Sequence, residues 1–193
     1  MTKARLEAFS DGVIAIIITI MVLELKVPHG NSLNDLLPLL PVFLSYVLSF
    51  IYVGIYWNNH HHMFQTVKKI SASILWANLY FLFWLSLFPF VTAWAGENHF
   101  SSFPTMLYGI VLFMTGLAYW ILQNTIIKSE GDGSLLKIAV GNDFKGKISN
   151  VLNGVAILIS YWLPLFGLAI YIGVAFIWLI PDKRIEEVLT TKQ

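Results

Sequence analysis

Long apolar stretches dominate this sequence and leave few charged residues between them. The chain has 193 residues, of which 57% are hydrophobic and only 12% are charged, and its mean hydropathy is +0.71. A water-soluble protein of this size needs far more polar surface. A helix of about 20 apolar residues crosses the ~30 Å hydrocarbon layer of a membrane. The sequence therefore predicts an all-α protein embedded in a lipid bilayer.

Six such stretches are predicted membrane spans within a single domain, residues 1–193. The last two share one apolar run, from Ile148 to Ile180, which is too long for a single crossing. Pro164 and Gly167 interrupt this run and weaken a helix, so we expect a tight hairpin there. One long helix kinked at Pro164 is the alternative. The predicted spans are 4–27, 37–62, 71–95, 104–127, 146–163 and 165–181.

The distribution of lysine and arginine predicts the orientation, because cytoplasmic loops accumulate these residues. With six spans, all but one of the 12 lysines and arginines lie on one side, and both termini are cytoplasmic. Five spans would move the last three of them to the other side. The outer side holds Lys26, and the inner side holds Lys3, Arg5, Lys68, Lys69, Lys128, Lys137, Lys145, Lys147, Lys183, Arg184 and Lys192.

Several kinds of function are excluded by residues that the chain lacks. It has no cysteine, which excludes thiolate nucleophiles and cysteine-ligated metals. Its net charge is +1, without the basic clusters that nucleic-acid binding requires. Nucleophile-elbow and phosphate-loop motifs are absent. We expect no enzyme activity, no cofactor and no nucleic-acid partner.

A stripe of aliphatic side chains runs along the first predicted helix. At about 100° per residue, Ile16, Ile20 and Leu23 share one narrow face, with Thr19 at its edge. By itself, such a stripe is typical of a surface that contacts lipid or packs on other helices. The Thr19 hydroxyl either faces the same side as the stripe or bonds to the carbonyl of Ala15.

Ser10 and Asp11 precede the stripe and point away from it. A carboxylate inside a membrane span is costly and needs a partner, so Asp11 either bonds to a neighbouring helix or binds an ion. At the other end of the helix, Glu24 either is solvated or pairs with Lys26. Glu97, in the next outer loop together with His99, is expected to be solvated.

Three consecutive histidines follow Trp57 in the second predicted span. Imidazole is a common metal ligand, but helical neighbours diverge by about 100°. His60, His61 and His62 therefore do not converge on one ion, and no metalloenzyme motif supplies other ligands. The sequence predicts no metal site here.

These motifs resemble the bacterial branch of the transmembrane protein 175 family of potassium-conducting channels. The resemblance rests on R-x-x-x-F-S-D-G-V and V-L-E-L in the first span and on W-x-x-H-H in the second, and it covers the whole chain. It implies a homotetramer whose first helices line a pore for potassium ions. It also implies that His60 bonds to Ser10 or Asp11. The residues implied to tie the first helix to its own subunit are Arg5, Phe9, Ser10, Asp11, Trp57 and His60.

In such a pore the aliphatic stripe is the narrowest part. Branched side chains that expel water block ions, and slight widening restores conduction. The chain has no T-V-G-Y-G filter, so we expect a hydrophobic gate at Ile16, Ile20 and Leu23, with Thr19 the nearest polar side chain to a permeant potassium ion and Glu24 at the outer mouth. The predicted function is a potassium-selective cation channel of a bacterial plasma membrane.

A proton-coupled secondary transporter, or a proton-conducting membrane protein, that uses Asp11 and His60 is the main alternative. Inverted repeats and paired broken helices are typical of transporters, and the sequence shows neither. A structural or sensory membrane protein without ion flux is the third alternative.

Overall fold

The structure consists of α-helices joined by short turns. It is a computed structural model that describes residues 2–179, without the side chain of Asp132, and no strand occurs within these residues. Single 3-10 turns lie at Leu33–Asp35, Leu37–Leu39 and Gly131–Gly133. The helices are α1 (Lys3–Leu23), α2 (Leu40–Gln65), α3 (Ala72–Ser86), α4 (Phe88–Glu97), α5 (Ser102–Glu130), α6 (Leu135–Val140), α7 (Phe144–Ser160) and α8 (Pro164–Leu179).

Four segments of the described chain are long and apolar enough to cross a membrane. They are α1, the stretch from Leu33 to the end of α2, α3 together with α4, and α5. α7 and α8 are shorter, at 17 and 16 residues. The chain is therefore an all-α membrane protein with helices in all six predicted stretches. That all six cross the bilayer stays a prediction, and residues 180 and 181 of the last one lie outside the described residues.

The third predicted span consists of two helices instead of one. α3 ends at Ser86 and α4 begins at Phe88, with Pro89 as the second residue of α4. Proline has no N–H to donate, and its ring collides with the preceding turn of a helix. The Leu87 N–H bonds to the carbonyl of Trp84 at 3.3 Å, which closes α3 with a tighter turn. The break is therefore a consequence of Pro89.

α7 and α8 form the predicted hairpin, and the alternative of one kinked helix is wrong. α7 ends at Ser160 and α8 begins at Pro164. Trp178, near the end of α8, donates from Nε1 to Ser149 Oγ near the start of α7 at 2.8 Å, which requires antiparallel helices. The helices approach closely at Gly167, where an added Cβ would lie 1.9 Å from Ser160 Oγ.

Hydrogen bonds between helix ends define the two ends of the bundle. At one end, Lys3 Nζ donates to the carbonyl of Gln65, and the backbone N–H of Lys68 donates to Glu130 Oε1. Lys26 and Glu97 form an ion pair at the other end. Lys26 therefore lies at the opposite end of the bundle from Lys3 and Lys68, as the distribution of basic residues predicted. Of the residues predicted for the inner side, Lys183, Arg184 and Lys192 lie outside the described residues.

α1 lies at the edge of the bundle and packs on α2, α3 and α4. Its buried side chains recur every three or four residues, as expected for one face of a helix. The side chains of the opposite face are exposed. These buried residues of α1 are Leu6, Ser10, Ile14, Ile17 and Met21.

Candidate functional site

The aliphatic stripe of α1 faces away from the rest of the subunit. Ile16 is 57% exposed, Ile20 is 41% exposed and Leu23 is 80% exposed, whereas Ile17 on the opposite face is 3% exposed. The helical spacing thus places the three side chains on one outward surface. An apolar outward surface is available for lipid or for another copy of the same helix.

Thr19 lies on the outward side of α1 beside the stripe. Its hydroxyl donates to the carbonyl of Ile16 at 2.9 Å, so the acceptor is Ile16 and not the predicted Ala15. Both carbonyls are within reach of a threonine side chain in a helix. Because the hydroxyl proton is used within the helix, the lone pairs of the oxygen remain available to a cation on the outward side.

A chain of buried hydrogen bonds joins His60 of α2 to α1 through α3. His60 Nε2 bonds to Asn78 Oδ1 at 2.8 Å, and Asn78 Nδ2 donates to Ser10 Oγ at 2.9 Å. The Ser10 hydroxyl donates in turn to the carbonyl of Leu6. Since an amide oxygen only accepts, His60 Nε2 carries the proton. The predicted direct bond from His60 to Ser10 or Asp11 is therefore wrong, because Asn78 lies between them.

Aromatic rings hold the His60 imidazole in place. It stacks on Phe64 with 4.4 Å between ring centroids and lies nearly parallel to Phe81. His60 is almost fully buried, so this part of the network is closed to solvent. Such a buried, fully paired network specifies one arrangement of α1, α2 and α3.

Asp11 is held by a separate contact. Trp57 Nε1 donates to Asp11 Oδ1 at 3.0 Å, which ties the exposed side of α1 to α2. The chain from His60 ends at a backbone carbonyl and does not include the Asp11 carboxylate. The two groups of the predicted proton relay thus belong to different hydrogen-bonded sets.

A third contact supports α1 nearer its other end. The Thr92 hydroxyl of α4 lies 3.9 Å from the Met21 sulfur and donates to Ser49 Oγ of α2 at 2.6 Å. Ser49 Oγ also bonds to the Tyr108 hydroxyl of α5. α1 is therefore fixed from behind at two heights, at Ser10 below the stripe and at Met21 level with its upper part.

The remaining predicted residues are not joined to this network. Arg5 and Phe9 are exposed, and Arg5 forms no ion pair with a described residue. His61 is exposed and bonds to Gln65, and His62 is half-buried. Within residues 2–179 no cluster of three potential metal ligands occurs. A role for Arg5 and Phe9 stays a prediction.

The ends of α1 and α4 meet in an ion pair. Lys26 bonds to Glu97, so the predicted pair of Lys26 with Glu24 is wrong. Glu97 is exposed, as predicted, but it is also paired. The hydrogen bond and charge of Glu97 raise the pKa of Lys26. Glu24 and His99 are exposed. Glu24 remains free of ion pairs with described residues.

Asn78, Ser49 and Thr92 are the supporting residues that sequence analysis missed. Asn78 carried a usable signal, since it is a single amide within the apolar run of α3 and such a group needs a partner inside a membrane. Ser49 and Thr92 carried no comparable signal, because short hydroxyl side chains bond readily to their own helix.

Comparisons with known proteins agree with the fold and the motifs. The profile of the family described as "Endosomal/lysosomal potassium channel TMEM175" matches residues 5–89. A protein of Chryseobacterium sp. (strain P1-3) named as a potassium channel is 60% identical over 98% of this chain and 98% of its own length. The endosomal/lysosomal proton channel TMEM175 of Gallus gallus is 27% identical over 67% of this chain, but only 29% of its own length is matched.

A solved structure shares the whole fold. The crystal structure of a lysosomal potassium-selective channel TMEM175 homolog from Chamaesiphon minutus superimposes with a TM-score of 0.82, covering 93% of this chain and 97% of that one. The two sequences are 24% identical, so this likeness establishes the fold. Because this chain matches nearly the whole length of the Chryseobacterium protein, it belongs to the family of the endosomal/lysosomal potassium channel TMEM175.

Proposed function

We propose that this protein is a potassium-preferring cation channel in which four copies of the chain place α1 around a common axis. The observation that supports this most is the outward stripe of Ile16, Ile20 and Leu23 on a helix that is fixed from behind. The family membership supports the same function, because the bacterial relative that matches the whole chain is named as a potassium channel.

Several copies are needed because one subunit offers a single helix of this kind. α1 contacts its own subunit through one face only, and a symmetric assembly buries such a face against identical copies. Four copies would turn the stripe toward water and ions. Lipid contact would leave the same residues exposed without a pore, so the assembly has to be tested directly.

The stripe would act as a hydrophobic gate. Aliphatic side chains that surround a narrow passage exclude water, and an ion that has lost its hydration cannot pass. A small outward movement of α1 would rehydrate the passage. Ser10 bonds to α3 and Asp11 bonds to α2, and these bonds hold α1 in one rotational position. We therefore expect the gate to open by displacement of whole helices.

Thr19 is the proposed polar contact for the permeant potassium ion, near Ile16. Its proton is donated to the Ile16 carbonyl, which leaves the oxygen lone pairs as acceptors toward the axis. Four such oxygens would partly replace the hydration shell of an ion. Potassium gives up its shell more easily than sodium, which favours potassium at a site with few oxygen ligands.

We place the channel in a bacterial plasma membrane with both termini in the cytoplasm. The bundle end that carries Lys3 and Lys68 would then face the cytoplasm, following the positive-inside rule. The end with Lys26 and Glu97 would face outward.

Planar-bilayer recording of purified protein tests the gate. Ile16→Ala and Ile20→Ala shorten the side chains of the stripe, so conductance should rise several-fold in both. Val22→Ala is the matched control, because Val22 is also an exposed β-branched residue of α1 but points away from the stripe. Unchanged conductance in both stripe variants would refute the gate.

Proton conduction is the second candidate, because the animal relatives are named as proton channels. The separate bonding of Asp11 and His60 disfavours a relay through these two groups. Liposomes that contain a pH-sensitive dye, with and without a potassium gradient, would distinguish the two ions. Proton flux that disappears in Asp11→Asn would favour the relay.

A further inference from the structure

A cavity of about 370 Å³, open to the surface, lies between helices of the subunit, and none of its lining residues belongs to α1. Residues of α2, α5, α7 and α8 line it. It includes Asp143 and Lys147 at the start of α7 and Asn153 farther along that helix. At 1.5 Å per residue, Lys147 and Asn153 are about 9 Å apart along the helix axis. The cavity thus reaches from the end of α7 into the bundle.

Several hydrogen-bond donors that line this cavity are used by the protein itself. The hydroxyls of Tyr56 and Tyr119 donate to backbone carbonyls, and so does Asn59 Nδ2. Lys147 Nζ donates to the carbonyl of Asn142. The tyrosine hydroxyls and the Asn59 amide therefore leave acceptor oxygens for a ligand, whereas Lys147 keeps two N–H donors.

One buried acceptor in the cavity has no partner among the described residues. Asn153 is 3% exposed, and its Oδ1 has no hydrogen-bond partner among the described residues. A buried acceptor without a donor is unfavourable, so it indicates a group that the described residues do not supply. Asn150 Oδ1 occupies the space beside Gly116, where an added Cβ would lie 2.3 Å from it.

A negative charge lies at one end of the same cavity. The Asp143 carboxylate accepts from the backbone N–H of Gly146 at 3.2 Å and from Gln123 Nε2 at 3.3 Å. Both distances are long for hydrogen bonds to a carboxylate, and a carboxylate accepts up to about four. Asp143 lies about 15 Å along the helix axis from Asn153, so its charge attracts cations to this end of the cavity but does not contact a group at Asn153.

The rest of the lining is apolar or aromatic, including Phe113, Trp120 and Val174. A bare metal ion needs a shell of oxygen ligands, which this lining does not offer. Aromatic faces attract an organic ammonium group, and apolar side chains accommodate the body of such a molecule.

We propose that this cavity binds an amphipathic primary amine. Its ammonium group donates to Asn153 Oδ1 and Asn150 Oδ1, while its apolar body lies against Phe113 and Trp120. The ammonium comes either from a free amine or from the headgroup of an ethanolamine phospholipid. This site is separate from the proposed pore and does not depend on it.

Binding of 2-phenylethylammonium to the full chain in choline-phospholipid nanodiscs tests the proposal. We expect saturable binding to the wild type and at least tenfold weaker binding to Asn153→Leu. Asn98→Leu is the control, because Asn98 is an exposed amide outside the cavity. This variant should bind the amine as tightly as the wild type does. Phenylethyl-trimethylammonium, which keeps the charge and the ring but has no N–H, should bind at least tenfold more weakly than the primary amine.

Equal binding of the amine to wild type and Asn153→Leu, or no saturable binding to the wild type at millimolar concentration, would overturn the site. Competition by ethanolamine phospholipid would support it and identify the lipid headgroup as the source of the ammonium.

A second measurement leaves Asn153 unchanged, so it tests amine binding in the cavity even if Asn153→Leu does not fold. Because the chain has no cysteine, Val151→Cys in the cavity lining carries the only thiol. The amine should slow alkylation of this thiol several-fold. Leu158→Cys, exposed outside the cavity, should react at the same rate with and without the amine. Absence of protection at Val151→Cys would reject the proposal.

Discussion

Trp57 Nε1 donates a hydrogen bond to Asp11 Oδ1 at 3.0 Å, and this contact turns the carboxylate of the first helix toward α2. It lies on a different side of α1 from the stripe that begins at Ile16. The membrane-embedded acid is therefore part of the attachment of α1 to its own subunit. The outward surface of the helix is left to aliphatic side chains and Thr19.

Removal of the Trp57 donor tests this attachment. Trp57→Phe should lower the free energy of unfolding by about 1 kcal/mol, since a hydrogen bond contributes 0.5–1.5 kcal/mol and this one is exposed. Asp11→Asn keeps an acceptor oxygen, so it should lower the free energy of unfolding by less than Trp57→Phe does. Thermal unfolding in detergent measures both, and Trp76→Phe, an exposed indole on α3, is the control. A loss of potassium flux in Asp11→Asn with unchanged unfolding would indicate an ion-binding Asp11 instead.

Asn78 is predicted to be more important for stability than any residue of the F-S-D motif. Asn78→Leu leaves both His60 and Ser10 without their partner, and each unpaired buried group costs about 1–3 kcal/mol. Denaturant unfolding should show this loss. Asn124→Leu is the matched control, because Asn124 bonds only within its own helix. Equal stability of the two variants would show that the His60 network does not support the fold.

The α7–α8 hairpin depends on the close approach at Gly167. Gly167→Ala places a Cβ 1.9 Å from Ser160 Oγ, and such overpacking costs about 1–3 kcal/mol. Ser160→Ala should recover part of the loss in the double variant. At Gly173, where an added Cβ meets nothing within 4 Å, the same substitution should be neutral or stabilising by up to about 1 kcal/mol. Unfolding temperatures that do not differ between Gly167→Ala and Gly173→Ala would contradict the packing described.

Thr19 should affect selectivity through its oxygen. Thr19→Val keeps the shape and removes the oxygen, so the potassium-to-sodium permeability ratio from reversal potentials should fall several-fold. Thr19→Ser keeps an oxygen at the same position and should retain most of the ratio. If both variants keep the permeability ratio of the wild type, the Thr19 hydroxyl bonds only within α1 and does not contact the permeant ion.

The common face of the stripe was predictable because it depends only on helical periodicity, whereas the direction in which that face points does not follow from periodicity. The spacing of Ile16, Ile20 and Leu23 places them on one face in any regular helix, and the structure has them exposed together. The hairpin at Pro164 was predictable for a similar reason, since a proline and the length of the apolar run are both local properties.

The partners of the motif residues were not predictable, because they depend on tertiary packing. Asn78 is distant in sequence from both Ser10 and His60, and nothing local shows that α3 lies between them. The Lys26–Glu97 pair was missed for the same reason. The acceptor of Thr19 depends on a choice between two adjacent carbonyls, Ala15 and Ile16, which differ little in distance.

The central claim is that copies of α1 turn the stripe toward a shared, water-accessible axis. The chain has no cysteine, so Ile20→Cys introduces a single reactive position whose effect on the current is unambiguous. A water-soluble thiol reagent should block the potassium current of Ile20→Cys in a planar bilayer and leave Phe83→Cys, on an exposed part of α3, unaffected. A current that persists in fully labelled Ile20→Cys, or a thiol that does not react from water, would contradict the account.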